Sequence, residues 1–366
     1  MAPPHGLTPA RRARRLALVL GLTAALLTMA SAARANQARD QRTAYRQTNL
    51  VSDVPGLATL TDAHLVNAWG LAAGPATPIW VSNNGTDTST LYGGAVNGSP
   101  PAIVPLVVNV PGAPTGMVFN GQGGFNVSAG AITTSALFIW ATESGTILGW
   151  APPLDGNAQL AVTVPGAVYK GLAIATSASG TFLYAANFHD NRIDVFDSTF
   201  SLTHLDGDFS DRHLPAGFAP FNIQELGGKL YVAYAKQDQE RTDEVAGRGL
   251  GFVDVFDLNG HLLDRLVNRG RLNAPWGLVI APAGFGQFSG DLLVGNFGDG
   301  HINAYDLRGN FRGAVRDESG RPIEIDGLWA LRFGNGVIGT PTTMLFSAGP
   351  DDEQHGLFGT IEAVTG

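Results

Sequence analysis

One order of hydrophobic and polar segments recurs along the chain. A short x-Gly-apolar segment opens it and a period-two apolar strand follows. After a turn rich in Asn, Asp and Gly comes a second strand closing on an aromatic-Asp pair or its like. The clearest copy is 274–279 (APWGLV), 291–297 (DLLVGNF) and 300–306 (GHINAYD). Five further copies begin around Gly70, Gly116, Gly171, Asn222 and Gly327, so that with Gly277 the anchors lie 46, 55, 51, 55 and 50 residues apart. That spacing holds four short strands and their turns, and a repeat of this length predicts a radial array of small antiparallel sheets. The expected fold is all-β, a six-bladed β-propeller.

Glycine at the anchor has a physical reason. The innermost strands converge on the axis, where a residue without Cβ lets neighbouring backbones approach. A ring must also close. The strand-like stretch 45–51 precedes the first cassette, and the sixth ends without an outer strand. Residues 45–51 are therefore expected to pair with 360–364 as the outermost strand of blade six, which removes an exposed edge.

The amino terminus reads differently. Arg11, Arg12, Arg14 and Arg15 precede an apolar and small run over 16–30, and Ala33 and Ala35 give an A-x-A end. The run is shorter than the ~20 residues of a membrane span, and the three parts together describe a secretory signal peptide. The expected organisation is a signal peptide over 1–35, a short linker over 36–44 and one propeller domain over 45–366. The mature chain would carry no membrane span and be periplasmic or extracellular.

Charge sharpens this picture. The whole chain has 23 Lys+Arg against 31 Asp+Glu, a net charge of −8. Residues 1–35 hold five arginines and no acids, so the mature chain would stand at 18 − 31 = −13. An acidic chain is poorly suited to nucleic acid, which rewards clustered Lys and Arg, and no nucleic-acid partner is expected. There is no Cys, which excludes disulfides, thiolate metal sites and a thiol nucleophile.

The Pro-x-Gly-apolar opening, the Val-x-Asn turn and the Ile-x-x-Tyr/Phe-Asp close resemble NHL-repeat propellers, best over 275–306 and 171–197. More specifically, the chain from about 45 to 366 resembles an uncharacterised bacterial family of exported six-bladed propellers, some of which carry a PEP-CTERM sorting tail. The stretches that carry the resemblance are 67–72 (NAWGLA), 82–86 (SNNGT), 186–188 (ANF), 245–247 (VAG), 251–257 (GFVDVFD), 274–277 (APWG) and 349–353 (GPDDE). No sorting tail follows 353, so surface anchoring is not carried over. The resemblance implies the fold and brings no activity with it.

Propeller geometry concentrates the candidate chemistry. The residues just before each anchor are Trp69, Thr115, Lys170, Phe221, Trp276 and Asp326. In a six-fold ring Trp69 would face Phe221, and Lys170 would face Asp326 across the mouth. Trp69, Phe221 and Trp276 then either stack on a sugar or another flat ligand, with Lys170 and Asp326 supplying charge, or plug the top of the channel. The repeated Asn83, Asn187 and Asn296 read as turn-formers bonding to their own backbone. The run Asp351, Asp352, Glu353 is either a solvated acidic hairpin or a set of oxygen ligands for a divalent cation such as calcium. No other cofactor is assigned. The longest insertion, 236–244, is either a flap over the mouth or a surface loop.

No G-x-S-x-G or P-loop occurs. The reading is an exported, non-catalytic module that binds a small molecule, a glycan or an envelope protein. The alternative is a metal-assisted hydrolase or lactonase using a cation near the channel, with Asp326 and Glu143.

Overall fold

The middle strands are apolar runs rather than alternations. Leu292–Asn296 (LLVGN) and Phe138–Thr142 (FIWAT) are buried at every position, as strands must be when neighbouring sheets cover both faces. Outer strands show the opposite: Leu262–Asn268 is exposed over most of its length. Burial therefore falls from axis to rim within each sheet, the gradient of a ring of radially stacked blades.

The structure, a computed structural model, describes residues 43–364. The expected signal peptide and nearly all of the expected linker lie outside the described residues. Six four-stranded antiparallel blades follow one another. Their innermost strands are Ala68–Ala72, Pro114–Phe119, Tyr169–Ser177, Phe218–Glu225, Pro275–Ile280 and Leu328–Phe333. No described helix is long and apolar enough to cross a membrane.

Blade six takes its outer strand from the other end of the chain. Ala44–Ser52 pairs antiparallel with Leu357–Val364, with Ala44 opposite Val364 and Thr48 opposite Thr360, the ring closure expected from the sequence. The closing strand is pinned by Tyr45, which is fully buried. Its hydroxyl donates to the Phe285 carbonyl at 2.9 Å and its ring stacks on Phe288 at 5.9 Å. Leu60–Thr61 then adds a short parallel strand outside it.

The anchor glycines sit where blades touch. A Cβ on Gly116 would lie 2.3 Å from the Leu172 amide of blade three, and one on Gly70 would lie 2.4 Å from the Thr115 carbonyl of blade two. Blade four keeps Asn222 here by turning its amide toward blade five, where it donates to the Trp276 carbonyl at 2.6 Å. Blade six corrects the sequence reading. Gly327 precedes the strand, in a left-handed turn at φ +63, and the axial place falls to Ala330. The order Leu328-Trp329-Ala330-Leu331 thus matches Ala68-Trp69-Gly70-Leu71, and Trp329, not Asp326, stands with Trp69 and Trp276.

Candidate functional site

The residue before each axial position points into the top of the channel, and the six together seal it. Trp69 and Trp329 stack with centroids 3.6 Å apart, and Trp276 meets both edge-on at 6.2 and 6.0 Å. Phe221 packs on Trp329 at 5.8 Å, and Phe297 stacks on it at 4.1 Å. Thr115 completes the layer by donating to the Tyr169 carbonyl at 2.8 Å. Trp69, Phe221 and Trp276 are buried to within 2% of full cover. Of the two arrangements open to them, stacking surface or plug, the closed molecule adopts the plug. Below it lie a hollow of about 110 Å³ and, toward the other face, an opening of about 250 Å³ beside Arg332, Gln224 and Glu225.

Lys170 belongs to the same layer and is 1% exposed. It does not face Asp326, because Trp329 holds that place. Its ammonium lies 5.2 Å over the Trp69 ring, donates to Glu143 and reaches Asp243 Oδ1 at 3.0 Å. Burial alone would lower its pKa, but Glu143, Asp243 and Glu244 outweigh that and hold it above the ordinary lysine range. Asp243 comes from the 236–244 insertion, which does fold over the mouth. Gln237 anchors that flap by donating to the Phe188 carbonyl at 2.6 Å.

A chain of amides ties the carboxylates together. Asn84 donates to Glu143 Oε2 at 2.9 Å, and Asn67 donates to Asn84 at 3.2 Å and to Glu353 Oε2 at 2.5 Å. The Asn67 carbonyl oxygen accepts from both Trp69 and Trp329 indoles, at 2.9 and 3.0 Å. One side chain thus couples the acid rim to the plug. Burial pushes the Glu244 carboxyl up to about 8, against the pull of Lys170, and raises Glu353 as well, where Asn67 and Lys170 act in the opposite sense.

The remaining candidates are placed as follows. Asp351, Asp352 and Glu353 occupy three successive left-handed positions (φ 58, 49 and 65), a conformation that disfavours residues with a Cβ. The turn sends only Glu353 inward, while Asp351 and Asp352 are exposed. The three carboxylates do not converge, and among the described residues no group of three His, Asp or Glu side chains is placed to hold a metal ion. Asp326 is exposed and accepts the Asp351 amide at 2.9 Å, apart from Glu143. Asn83, Asn187 and Asn296 are buried, and mostly they do not bond to their own backbone. Asn83 bonds Thr88 and Thr90, Asn187 bonds Asp190 and Asp194, and Asn296 bonds Asp299 and the Arg271 carbonyl. Only Asn187 also takes a nearby amide, that of Asp190, at 3.2 Å.

Sequence reasoning missed Trp329, Asn67 and Glu244. The first was legible as a third apolar-Trp-small-Leu segment, and the second as the Asn opening NAWGLA. Glu244 carried no signal, since its role depends on how the flap folds.

No family model matches the chain. Among solved structures, virginiamycin B lyase from Staphylococcus aureus superposes with a TM-score of 0.52 at 11% identity, covering 88% of this chain and all of that one. A Bacteroides thetaiotaomicron protein of unknown function gives 0.55 at 10%, covering 88% and 77%. At such identities these show the six-bladed fold alone. Relatives in sequence include proteins of Acanthamoeba polyphaga mimivirus. Uncharacterized protein R648 is 35% identical over 334 residues, 87% of this chain and 80% of its own length. Uncharacterized protein L690 is also 35% identical, over 85% of this chain and 84% of its own length. The chain belongs to the family of these viral proteins, built on a six-bladed β-propeller.

Proposed function

We propose that the protein is an exported, non-catalytic binding module whose upper face takes a cationic ligand or a basic segment of a protein partner. Export rests on the basic, apolar and A-x-A order of residues 1–35. One observation carries the binding reading: Glu143, Asp243, Glu244 and Glu353 surround a single ammonium, Lys170. Amides already satisfy one oxygen each of Glu143 and Glu353, so the surplus negative charge faces outward from a rigid sealed ring. A second cation arriving from solvent would meet more carboxyl groups than Lys170 balances, with Glu244 adding its charge only as pH rises toward 9. The aromatic layer then acts as the floor of the site, and Trp69, Phe221 and Trp276 serve by burying Lys170 rather than by touching ligand.

The strained turn at 351–353 fits this role. Residues held in left-handed backbone against their preference concentrate where a side chain must be aimed, and here the turn aims Glu353.

The test is calorimetric titration of the purified protein with a short lysine- and arginine-rich peptide, at low and at high salt. Saturable binding that weakens with salt, and that E353Q and D243N each reduce severalfold, supports the proposal. Absence of binding at low salt would overturn it. So would equal loss on neutralising Asp155, a carboxylate on a different loop.

A further inference from the structure

A second hollow, of opposite charge, lies at the rim of blade five. It has a volume of about 220 Å³, and its lining includes Arg248, Arg271 and Arg316. The three come from separate segments: the long loop of blade four, the link from blade four to blade five, and the chain after the outer strand of blade five. Such convergence in an acidic chain needs a reason.

Elsewhere Arg46, Arg192, Arg265, Arg312 and Arg321 each pair with a carboxylate, and the other unpaired arginines of the described residues, Arg212, Arg241, Arg269, Arg308 and Arg332, do not line this hollow. Among the described residues, Arg248, Arg271 and Arg316 form no ion pair. Arg271 is held in place 4.4 Å over the Phe311 ring, and Arg316 donates to the Gly320 carbonyl at 2.8 Å. The one carboxylate in the lining, Asp299, is already engaged. It accepts from the Asn296 amide at 3.0 Å and lies 3.3 Å from His301 Nδ1. Three guanidinium groups against one carboxylate leave the hollow at 3 − 1 = +2 before His301 is counted.

A second observation is independent of charge. Asn303 is 97% buried, being 3% exposed, and lines the same hollow, yet its side chain makes no hydrogen bond among the described residues. Buried amides are normally satisfied, and one left open toward a cavity marks a place for a partner. The room is well beyond the ~10–15 Å³ that one water needs on this measure, enough for a tetrahedral oxyanion with a small substituent. Guanidinium forks match phosphate and sulfate oxygens in pairs, and an amide can donate to a third oxygen.

We infer that this hollow is a binding site for a phosphate or sulfate group, gripped by Arg248, Arg271 and Arg316 and by the amide of Asn303. It is separate from the acidic mouth and favours ligands of the opposite sign. A larger hollow of about 720 Å³, sharing His301 and Pro322, adjoins it, so an ester with a polar body is accommodated as well as the free ion.

The experiment titrates the protein with sodium phosphate, sodium sulfate and glucose 6-phosphate against sodium chloride of equal ionic strength, reading heat and melting temperature. Saturable binding of phosphate or sulfate beyond the chloride control is expected, with at least tenfold weaker affinity in R248Q/R316Q. In R271K the charge stays and the fork is lost, and a severalfold weakening is expected. Tighter binding of the sugar phosphate would identify the ester as the source, and tighter inorganic phosphate the free ion. No binding beyond chloride would overturn the inference. Wild-type affinity in both R248Q/R316Q and R271K would do the same, and R271K keeps the test open should the double variant not fold.

Discussion

Lys170, buried at the mouth, and Arg265, half-buried on the outer strand of blade four, are both cations outnumbered by carboxylates, and they are treated in opposite ways. Around Lys170 the acids are half-exposed or exposed, and amides from Asn67 and Asn84 satisfy their inner oxygens. Arg265 bonds Asp211 and donates to the His213 carbonyl at 3.1 Å. Asp254, fully buried, lies 3.6 Å from it with neither oxygen hydrogen-bonded, and the nearby Tyr234 hydroxyl is also unpartnered. In the interior the imbalance is relieved by a proton: burial first, then Asp211, pushes Asp254 up to about 7 in spite of Arg265. A protonated Asp254 can donate to Asp211. At the mouth, solvent and ligand can reach the surplus charge, so it can remain as charge.

The contrast depends on the plug keeping Lys170 dry, and removing Trp329 strikes at that most directly. Trp329→Ala empties the centre of the aromatic layer and is expected to cost about 3–5 kcal/mol, seen as a lower urea midpoint. Unchanged stability would mean that the layer contributes little to holding the blades.

Deleting the cation itself comes next. Lys170→Met leaves Glu143 and Asp243 facing each other without a counter-ion, and a loss of about 3 kcal/mol at pH 8 is expected. The loss should shrink at pH 5, where the neighbouring Glu244, raised to about 8, adds no negative charge, and Lys170→Met/Glu143→Gln should recover part of it. A loss independent of pH would assign Lys170 a packing role alone.

Sequence and structure agree at the level where the repeat speaks and part where one copy deviates. The six blades, the glycine contacts and the closing strand follow from a pattern repeated often enough to average out local exceptions. Blade six shows the limit. Its axial residue is Ala330, and the nearby Gly327 offered a false match that displaced the register by three residues. That shift put Asp326 on the axis in place of Trp329 and created an apparent Lys170–Asp326 pair. The true partners of Lys170 come from loops of blades two and four, at sequence distances of 27 and 73 residues. Loop conformation, unlike strand period, leaves no pattern to read. Glu353 shows the same gap: as one of three adjacent acids it resembles a cation ligand, and only the left-handed turn separates it from Asp351 and Asp352.

The interior member of the comparison can be tested by making its proton permanent. Asp254 has a folded pKa raised to about 7 from 3.8. Between those values the folded protein holds a proton that the unfolded chain has released. Stability from this group is therefore full below about 3.8 and falls as pH rises toward 7. Asp254→Asn supplies a neutral donor to Asp211 at every pH and is expected to gain about 1–3 kcal/mol at pH 8 and little at pH 4. Denaturant titrations at the two pH values measure it. A loss at pH 8 would show that the charged form is the one the fold needs.

The smallest expected effect bears on the mouth alone. Glu244, with a carboxyl pushed up to about 8, is largely protonated at pH 7 and largely charged at pH 9. Each step through that range adds negative charge beside Lys170, so affinity for a lysine- and arginine-rich peptide should rise with pH. A half-exposed charge is worth little, and the rise should be about two- to fivefold. Glu244→Gln should flatten it while leaving the pH 7 affinity nearly unchanged, because glutamine copies the protonated form. The same rise in Glu244→Gln would move the titrating group to Glu353, the other acid of the mouth raised by burial. A flat wild-type profile would leave the mouth without a titrating acid, and the difference from the Arg265 cluster would narrow to solvent access.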